Sequence, residues 1–315
     1  MIRFSGLYAV FFGTPFMWFR NLQIFRLTSG WDYTGEQLTE ALQKGLFQGC
    51  GATDRVARGW VPPRGNEGVL VFSVGRQQLI ALGIEQKLLP ASVTRQYADA
   101  KLQQIEVAQG YKPGRKQTRE VRDQVEIELL PRAFVKRGLT YVWIDPINRW
   151  LLVDASSSTR ADEVVEQLKL SLGEVPLTLL KTQLAPGTAL TQWLAAGKAP
   201  GSFTIDRDCE LQASAEERAA VRYVRHNLDS DEVRAHIVAG KTATRLSLTW
   251  NDRVSFVLTE QLQIKRVGFL DLLKEDAERQ SENADDLFAA NFSIMAGELS
   301  QLLAHLTDAL GGEAE

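Results

Sequence analysis

Hydrophobic and polar residues follow two different periods along the chain. Apolar residues at every second position are typical of a half-buried strand, and apolar residues three or four apart are typical of a helix with one buried face. The first period predicts strands over residues 18–27, 69–74, 78–85, 140–145, 150–154, 175–180, 203–209, 219–226, 242–250, 254–259 and 262–269. The second period predicts helices over residues 34–47, 161–172, 190–196, 230–239 and 284–310. Because short turns join most neighbouring strands, the pattern predicts an α+β fold in which helices flank antiparallel or mixed sheets.

Proline and glycine residues divide this pattern. The run 60–65 holds two prolines and a glycine and predicts a rigid turn. Further along, the steps Leu89-Pro90 and Leu130-Pro131 mark helix boundaries, because proline disfavours helix in the residue before it. Two helical patterns lie between these steps, and the glycine- and proline-containing stretch 110–116 separates them. Residues 90–131 are therefore predicted to form an antiparallel helical hairpin that protrudes as a small appendage.

The first sixteen residues differ from the rest of the chain. Arg3 and the apolar run 7–12 resemble a signal peptide only weakly, because the run is short and no small-residue cleavage site follows it. A strand pattern begins immediately after Met17. We therefore expect residues 1–16 to be a poorly ordered extension from an upstream start.

Composition narrows the class of protein. The chain has 315 residues, of which 44% are hydrophobic and 24% charged, as in soluble globular proteins. The two cysteines lie far apart without metal-ligand spacing, which argues against a disulfide scaffold or zinc site and fits a reducing cytoplasm. No apolar run reaches the length expected of a membrane span. The net charge of -3 excludes a global basic field, so any anion-binding surface must come from local charge.

Charge is indeed segregated along the chain. Residues 271–286 are strongly acidic, whereas the turn of the predicted hairpin carries the basic residues Lys112, Arg115, Lys116, Arg119 and Arg122 against a single Glu120. A second basic cluster comprises Arg218, Arg222, Arg225 and His226, and the last strands add Lys241, Arg245, Lys265 and Arg266 on their predicted solvent face. Such clusters are consistent with contacts to nucleic-acid phosphates. A solvated helix tip and a plain surface strand are equally open explanations from charge alone.

Signatures of catalysis are missing from the sequence. It has no phosphate-binding P-loop, no HExxH motif, no GxSxG elbow and no GxGxxG motif. Asp145 and Asp154, with Glu163, are positioned where a nuclease would bind Mg²⁺, although aspartates beside a turn more often form the turn itself. Phe134 follows a helix-ending proline among basic residues, where an aromatic packs either into its own core or into a partner's pocket.

Several motifs together resemble one family. They are MWFRNLQIFRL at 17–27, GWVPP at 59–63, KLLPASV at 87–93, LLPRAF at 129–134, YVWID followed by LLVD over 141–154, and GGEA near the C-terminus. In this order they resemble the recombination-associated protein RdgC family of proteobacteria, from Met17 onward. That family is known for nonspecific binding of double-stranded and also single-stranded DNA without enzymatic activity, and for a ring-shaped homodimer that encloses DNA. It restrains RecA-promoted recombination in the cytoplasm, at the nucleoid.

The resemblance implies a horseshoe-shaped subunit with distinct regions. These are an extension at 1–16, a central domain from 17–89 and 132–160, a helical tip at 90–131, a base at 161–240, and a return to the central domain at 241–315. It implies neither cofactor nor metal nor catalytic residue. Phe134 matches the family's tip-interface phenylalanine, and Arg225 and His226 match a lysine-glutamine pair associated with DNA binding, in which the histidine is a departure. Tyr111 replaces a basic residue common at the hairpin turn.

The expected DNA contacts are Lys112, Arg115, Lys116, Arg119, Arg222, Arg225 and His226. Two other functions stay open at this point. One is a metal-dependent nuclease that uses Asp145 and Asp154, and the other is a protein-interaction scaffold whose hairpin binds a partner protein.

Overall fold

The computed structural model describes residues 18–28, 30–65, 68–213, 218–279 and 281–314. The predicted extension at 1–16 lies outside these residues. The described part is an α+β structure with a single open sheet of twelve strands, all paired antiparallel, so the predicted fold class is confirmed.

The strands are, in chain order, β1 (Asn21–Leu27), β2 (Val56–Val61), β3 (Phe72–Val74), β4 (Gln77–Leu88), β5 (Phe134–Asp145), β6 (Trp150–Asp154), β7 (Leu177–Leu179), β8 (Phe203–Ala213), β9 (Ala220–Tyr223), β10 (Lys241–Trp250), β11 (Val254–Thr259) and β12 (Ile264–Phe269). Their spatial order is β2-β4-β5-β6-β1-β12-β11-β10-β8-β9, with β3 on β4 and β7 on β1. The central strand β1 thus joins a half built from β2, β4, β5 and β6 to a half built from β8 to β12.

The helices are α1 (Gly35–Gln43), α2 (Ala91–Gln109), α3 (Arg115–Leu129), α4 (Ser158–Leu172), α5 (Pro186–Ala196), α6 (Asp231–Val238), α7 (Asp271–Arg279) and α8 (Ala284–Ala309). Local sequence explains where several of them begin. Thr34 and Gln37 form a capping box at α1, and Pro186 in the first turn lets α5 start four residues earlier than predicted.

The two larger hydrophobic cores cover opposite faces of the sheet. One contains α5, α6, α7 and α8 on a face that runs from β3 and β4 to β9. The other contains α1 and α4, and it covers only the half of the opposite face formed by β1, β2, β4, β5 and β6. Phe292, Met295 and Leu299 of α8 are completely buried in the first core. By length and composition α8 is also apolar enough to cross a membrane, but half of that stretch is buried inside the protein, as in an ordinary core helix.

Some predicted boundaries were wrong for identifiable reasons. Residues 60–65 were predicted as a turn, yet Trp60 and Val61 belong to strand β2. Apolar and polar residues alternate little in β2, because Gly59 packs directly against the backbone of Phe47. A Cβ atom added at Gly59 would lie 2.4 Å from the Phe47 Cα, so no side chain fits there. Strand β5 begins six residues before the predicted residue 140, since it pairs with the end of β4 through to Leu88 opposite Phe134. The predicted hairpin 90–131 is present as α2 and α3, whereas the division into central, tip and base regions stays a prediction.

Candidate nucleic-acid interface

The turn between α2 and α3 has a defined structure. Gly110 adopts a left-handed conformation (φ 80°) at the end of α2, and its N–H donates to the Glu106 carbonyl at 2.8 Å. The Gln109 side chain donates to the Tyr111 carbonyl at 2.8 Å, and Gln117 donates to the Gln109 side chain at 3.3 Å across the hairpin. The basic residues of this turn are therefore carried on an ordered scaffold.

Those basic side chains are exposed and weakly paired. Lys116 lies 3.9 Å from Glu120 and Arg119 lies 4.0 Å from Asp123, with the basic side chains 92% and 87% exposed. Exposed pairs of this kind contribute at most about 1 kcal/mol. Within the described part of the chain, Lys112, Arg115 and Arg122 form no salt bridge. The hairpin turn thus has uncompensated positive charge.

Helix stability does not account for this charge. Arg115 and Lys116 lie in the first turn of α3, which has no acidic residue and no side-chain cap. The helix dipole places partial positive charge at that end, so cations there cost roughly 0.3–1 kcal/mol each instead of stabilising the helix. The helix dipole therefore gives no reason for the positions of these two residues.

The acidic residues of the hairpin lie at its other end. Glu126 pairs with Arg55 of the body, whose hydrogen bond lowers the pKa of the Glu126 carboxyl. Glu128 pairs with Lys101 at 2.6 Å. Fourteen residues separate Arg115 from the end of α3, which is about 21 Å of helix. Acidic and basic side chains therefore pair with each other where the hairpin joins the sheet, whereas the turn at its free end is basic.

Arg222, Arg225 and His226 lie at the opposite edge of the sheet. Arg225 follows β9 in a left-handed conformation (φ 53°), and its N–H donates to the Asp208 carboxylate at 2.8 Å. His226 donates its backbone N–H to the Arg207 carbonyl at 3.0 Å, and its ring lies 5.0 Å from the Tyr223 ring. The Arg222 and Arg225 side chains are exposed, whereas His226 is partly buried. Two arginines are thus presented to solvent, and the histidine is held by its neighbours.

The structure does not bring the two basic clusters together. The hairpin is attached to β4 and β5, and seven strand steps separate β5 from β9. At about 4.8 Å a step, the separation along the sheet is about 34 Å. A single ligand that contacts both clusters must therefore be long.

Phe134 is not part of its own core, so that alternative was wrong. Its side chain is 85% exposed at the first position of β5. The residue directly opposite on β4 is Leu88, which is 47% exposed, and the next residue, Val135, is 43% exposed. These three residues expose apolar surface where the hairpin joins the sheet.

The three carboxylates proposed for a metal do not form one site. Asp145 is fully buried and accepts hydrogen bonds from the Ile147 N–H at 3.0 Å and from Asn148 at 2.8 and 3.1 Å, so it forms the turn. Asp154 lies at the far end of the five-residue strand β6, about 13 Å away along the strand. There burial raises the pKa of the Asp154 carboxyl, which accepts the backbone N–H groups of residues 20 and 21. Glu163 is paired with Arg58.

Other combinations of metal-ligating side chains in the described part of the chain do not form a metal site either. Among residues 18–314 that the structure describes, no group of three His, Cys, Asp or Glu side chains is suited to holding a metal ion.

Comparison with known proteins gives the family. A family model described as "Putative exonuclease, RdgC" matches residues 17–313. The chain belongs to the RdgC family. A relative from Dechloromonas aromatica (strain RCB), named "Recombination-associated protein RdgC", is 52% identical over 94% of this chain and 98% of its own length. Relatives of the same name from Janthinobacterium sp. (strain Marseille) and Bordetella parapertussis are 50% and 49% identical.

The RdgC match agrees with the resemblance found in the sequence, including its start at residue 17. The two kinds of name differ on chemistry, because the family description contains the word exonuclease and the relatives' names describe recombination.

Some residues of the interface could not be found in the sequence. The Asp208 carboxylate accepts the backbone N–H of Arg225. Asp208 lies in an irregular part of β8, where this strand has extra residues opposite the segment of β10 between Leu246 and Leu248. Leu88 contributes to the apolar surface beside Phe134 through a strand pairing that begins before the visible alternation. In both cases the missing information was strand register.

Proposed function

We propose that this RdgC-family chain is a nonspecific DNA-binding protein without enzymatic activity, which acts as a homodimer and restrains RecA-dependent recombination by occupying DNA. The observation that carries the proposal is the uncompensated positive charge at the ordered turn of the hairpin. A protein of net charge -3 holds a polyanion through local potential when basic residues are collected on a few surfaces.

The separation of the two basic clusters supports a long ligand. Duplex DNA has one negative charge for about every 1.7 Å of its axis, so basic clusters carried by strands about 34 Å apart along the sheet can both meet phosphates on one duplex. The basic residues offer contacts to the backbone and few arranged groups that would read base edges. Binding is therefore expected to depend on DNA length and salt and little on sequence.

The dimer in this proposal uses Phe134. An exposed phenylalanine beside Leu88 and Val135 is suited to insertion into an apolar pocket of a second copy. Contact at this end of each subunit, with a second contact elsewhere, would close a ring around DNA, as the family resemblance implies. Encircled DNA would be less accessible to RecA, which requires no chemical step by this protein.

A paired substitution tests the DNA contacts. Lys116→Ala combined with Arg225→Ala should weaken duplex binding and reduce the log-log salt slope by about 0.9 for each phosphate that is no longer bound. Lys274→Ala combined with Arg279→Ala removes the same charge from the acidic helix α7 and serves as the control. Unchanged affinity and slope in the first variant, with a normal fold, would remove Lys116 and Arg225 from the interface.

Two rival functions are separated by direct assays. Incubation of duplex DNA with the purified protein and Mg²⁺ or Mn²⁺ tests the nuclease hypothesis. DNA cleavage that is lost in the Asp154→Asn variant would overturn the non-enzymatic proposal. A scaffold that binds DNA only through a partner protein would show no affinity when purified. Full affinity of the purified chain would exclude such a scaffold.

A further inference from the structure

Three aromatic side chains are more than half exposed among the residues that the structure describes. Phe134 lies beside other exposed apolar residues, and Tyr97 lies in the first half of α2. Tyr111 is 66% exposed and lies in the turn between α2 and α3, at the free end of the hairpin. An exposed ring contributes little to folding, because little of its surface is removed from water. Packing within the subunit therefore accounts for little of the Tyr111 side chain.

The backbone on both sides of the Tyr111 ring is fixed. The left-handed Gly110 closes α2 just before it, and the Tyr111 carbonyl accepts the Gln109 side chain at 2.8 Å. Pro113 then restricts the backbone that leads into α3. With the residues that the structure describes, however, the Tyr111 hydroxyl forms no hydrogen bond and the ring makes no contact with another aromatic ring or a guanidinium. The ring is thus presented on an ordered turn and open to solvent.

Basic residues surround Tyr111 in the sequence. Between residues 106 and 120 the chain has four of them against the acidic residues Glu106 and Glu120, and Lys116 lies 3.9 Å from Glu120. The four are Lys112, Arg115, Lys116 and Arg119, and all are exposed. Proteins bind single-stranded nucleic acids through this combination, in which cations follow the phosphates and an aromatic ring stacks on a base.

A ring in this position favours DNA with unpaired bases. In a duplex the faces of each base are covered by its neighbours in the stack, so Tyr111 has no base face to contact there. An unpaired base has an open face, and its stacking on an aromatic ring tolerates any sequence because every base has such a face. Contact through Tyr111 would therefore distinguish unpaired from paired bases without distinguishing one base from another.

We propose that Tyr111 stacks on unpaired bases and raises the affinity of this chain for DNA with single-stranded segments. The inference rests on the proposed function, because the cations of the hairpin turn hold the DNA backbone while the ring contacts a base. It adds a class of ligand, which is DNA with gaps or single-stranded ends, and a residue that distinguishes this ligand from continuous duplex.

Contact with another protein is the competing use of this ring. Val107, four residues earlier in α2, is 80% exposed, and an apolar surface for a partner protein would include both side chains. The neighbouring cations favour DNA instead, because the centres of protein interfaces are depleted of charged residues. The two uses predict different behaviour of Val107, which makes this residue a useful control.

Single strands with and without bases give the most direct test. Wild-type protein should bind a base-bearing oligonucleotide about fivefold or more tightly than an abasic one of the same length, which is the lower end of the range for one base–aromatic stack. Tyr111→Ala should remove most of that difference and leave duplex affinity within about twofold. Tyr111→Phe keeps the stacking face and should behave as the wild type. Tyr111→Lys adds charge without a stacking face, so it should bind duplex more tightly and still lose the difference.

Two control variants locate the effect. Tyr97→Ala removes an exposed tyrosine of the hairpin far from the turn, and Val107→Ser removes exposed apolar surface near it. Both should retain the wild-type difference between the two single strands. A difference that persists in Tyr111→Ala, in a variant with unaltered thermal unfolding, would overturn the inference. Weaker self-association of both Tyr111→Ala and Val107→Ser, with unchanged binding of the single strands, would assign the ring to a protein contact and also overturn it.

The wild type separates this inference from the proposed function. A chain that binds duplex DNA but does not distinguish base-bearing from abasic single strands would overturn the role of Tyr111 alone. A chain that binds no DNA would overturn the proposed function as well.

Discussion

The hairpin and helix α8 contain similar numbers of helical residues, but they differ in how much of the helix surface is buried. Helix α8 has 26 residues, and ten of them are buried against the sheet. The hairpin helices α2 and α3 have 34 residues between them, of which only Ala98 and Val125 are buried. Because most helical stability comes from packing of an apolar face, α8 contributes to the stability of the whole fold and the hairpin contributes little.

The difference shows where this fold can carry charge. Residues that pack against the sheet leave no room for free cations, whereas a hairpin with few buried residues can present them far from the body. Such a segment is also expected to open locally before the rest of the protein unfolds. Most of the stabilising packing and the exposed cations of the hairpin turn are thus located in different parts of the chain.

The largest effect is expected from cavity formation in the core under α8. Phe292 is completely buried, so Phe292→Ala should lower the free energy of unfolding by about 3–5 kcal/mol. Tyr97 of α2 is 54% exposed, and Tyr97→Ala should change that free energy by about 0.5 kcal/mol or less. Chemical denaturation of both variants gives the two values. Equal losses would show that the hairpin is packed as firmly as α8.

A smaller effect is expected at the junction between hairpin and sheet. Arg137 of β5 donates to Glu85 of β4 at 2.7 Å, and the Glu85 side chain is only 6% exposed. Arg137→Ala would leave that buried carboxylate bonded to the Cys50 N–H but without its counter-charge, at a cost of about 3 kcal/mol in unfolding free energy. Arg137→Lys retains the charge and should cost less. A loss below about 1 kcal/mol in Arg137→Ala would contradict this role.

The same pair predicts a pH dependence. Burial would raise the pKa of the Glu85 carboxyl, but hydrogen bonds from the Cys50 N–H and Arg137 outweigh it and hold that pKa below its usual value. The stabilisation is therefore present above the unfolded value of about 4.3 and is lost as the pH falls through the folded pKa. The stability difference between wild type and Glu85→Gln should shrink between pH 7 and pH 3. A difference that is constant with pH would contradict the assignment.

The smallest effect on folding is expected at Phe134. Because its side chain is 85% exposed, Phe134→Ser should change the unfolding free energy of the subunit by no more than about 0.5 kcal/mol. It should nevertheless weaken self-association, since the substitution removes an apolar anchor. Sedimentation equilibrium measures this, with Val107→Ser, another exposed apolar residue of the hairpin region, as the matched control. An unchanged association constant would remove Phe134 from the dimer contact.

The hydrophobic pattern correctly predicted the helices and strands that bury one regular face. It was least reliable where a strand is shaped by a contact with a segment distant in the sequence. The stripe of α8 and the meander from β10 to β12 were visible because their burial repeats locally. Strand β2 was missed because Gly59 is required by the approach of Phe47, a contact between separate segments. The cations of the hairpin turn were found as charge, but the structure was needed to show that their side chains are exposed and at most weakly paired among the described residues.

The central claim is that a dimer of this acidic chain holds duplex DNA through local basic surfaces. Its most direct test is the duplex affinity measured against salt concentration, with the mass of the protein determined by sedimentation in the same samples. The prediction is a dimer whose log affinity falls linearly with log salt, with a slope of about -3.6 or steeper for four or more phosphate contacts. A duplex affinity that does not change with salt, or full affinity in a monomer, would contradict it.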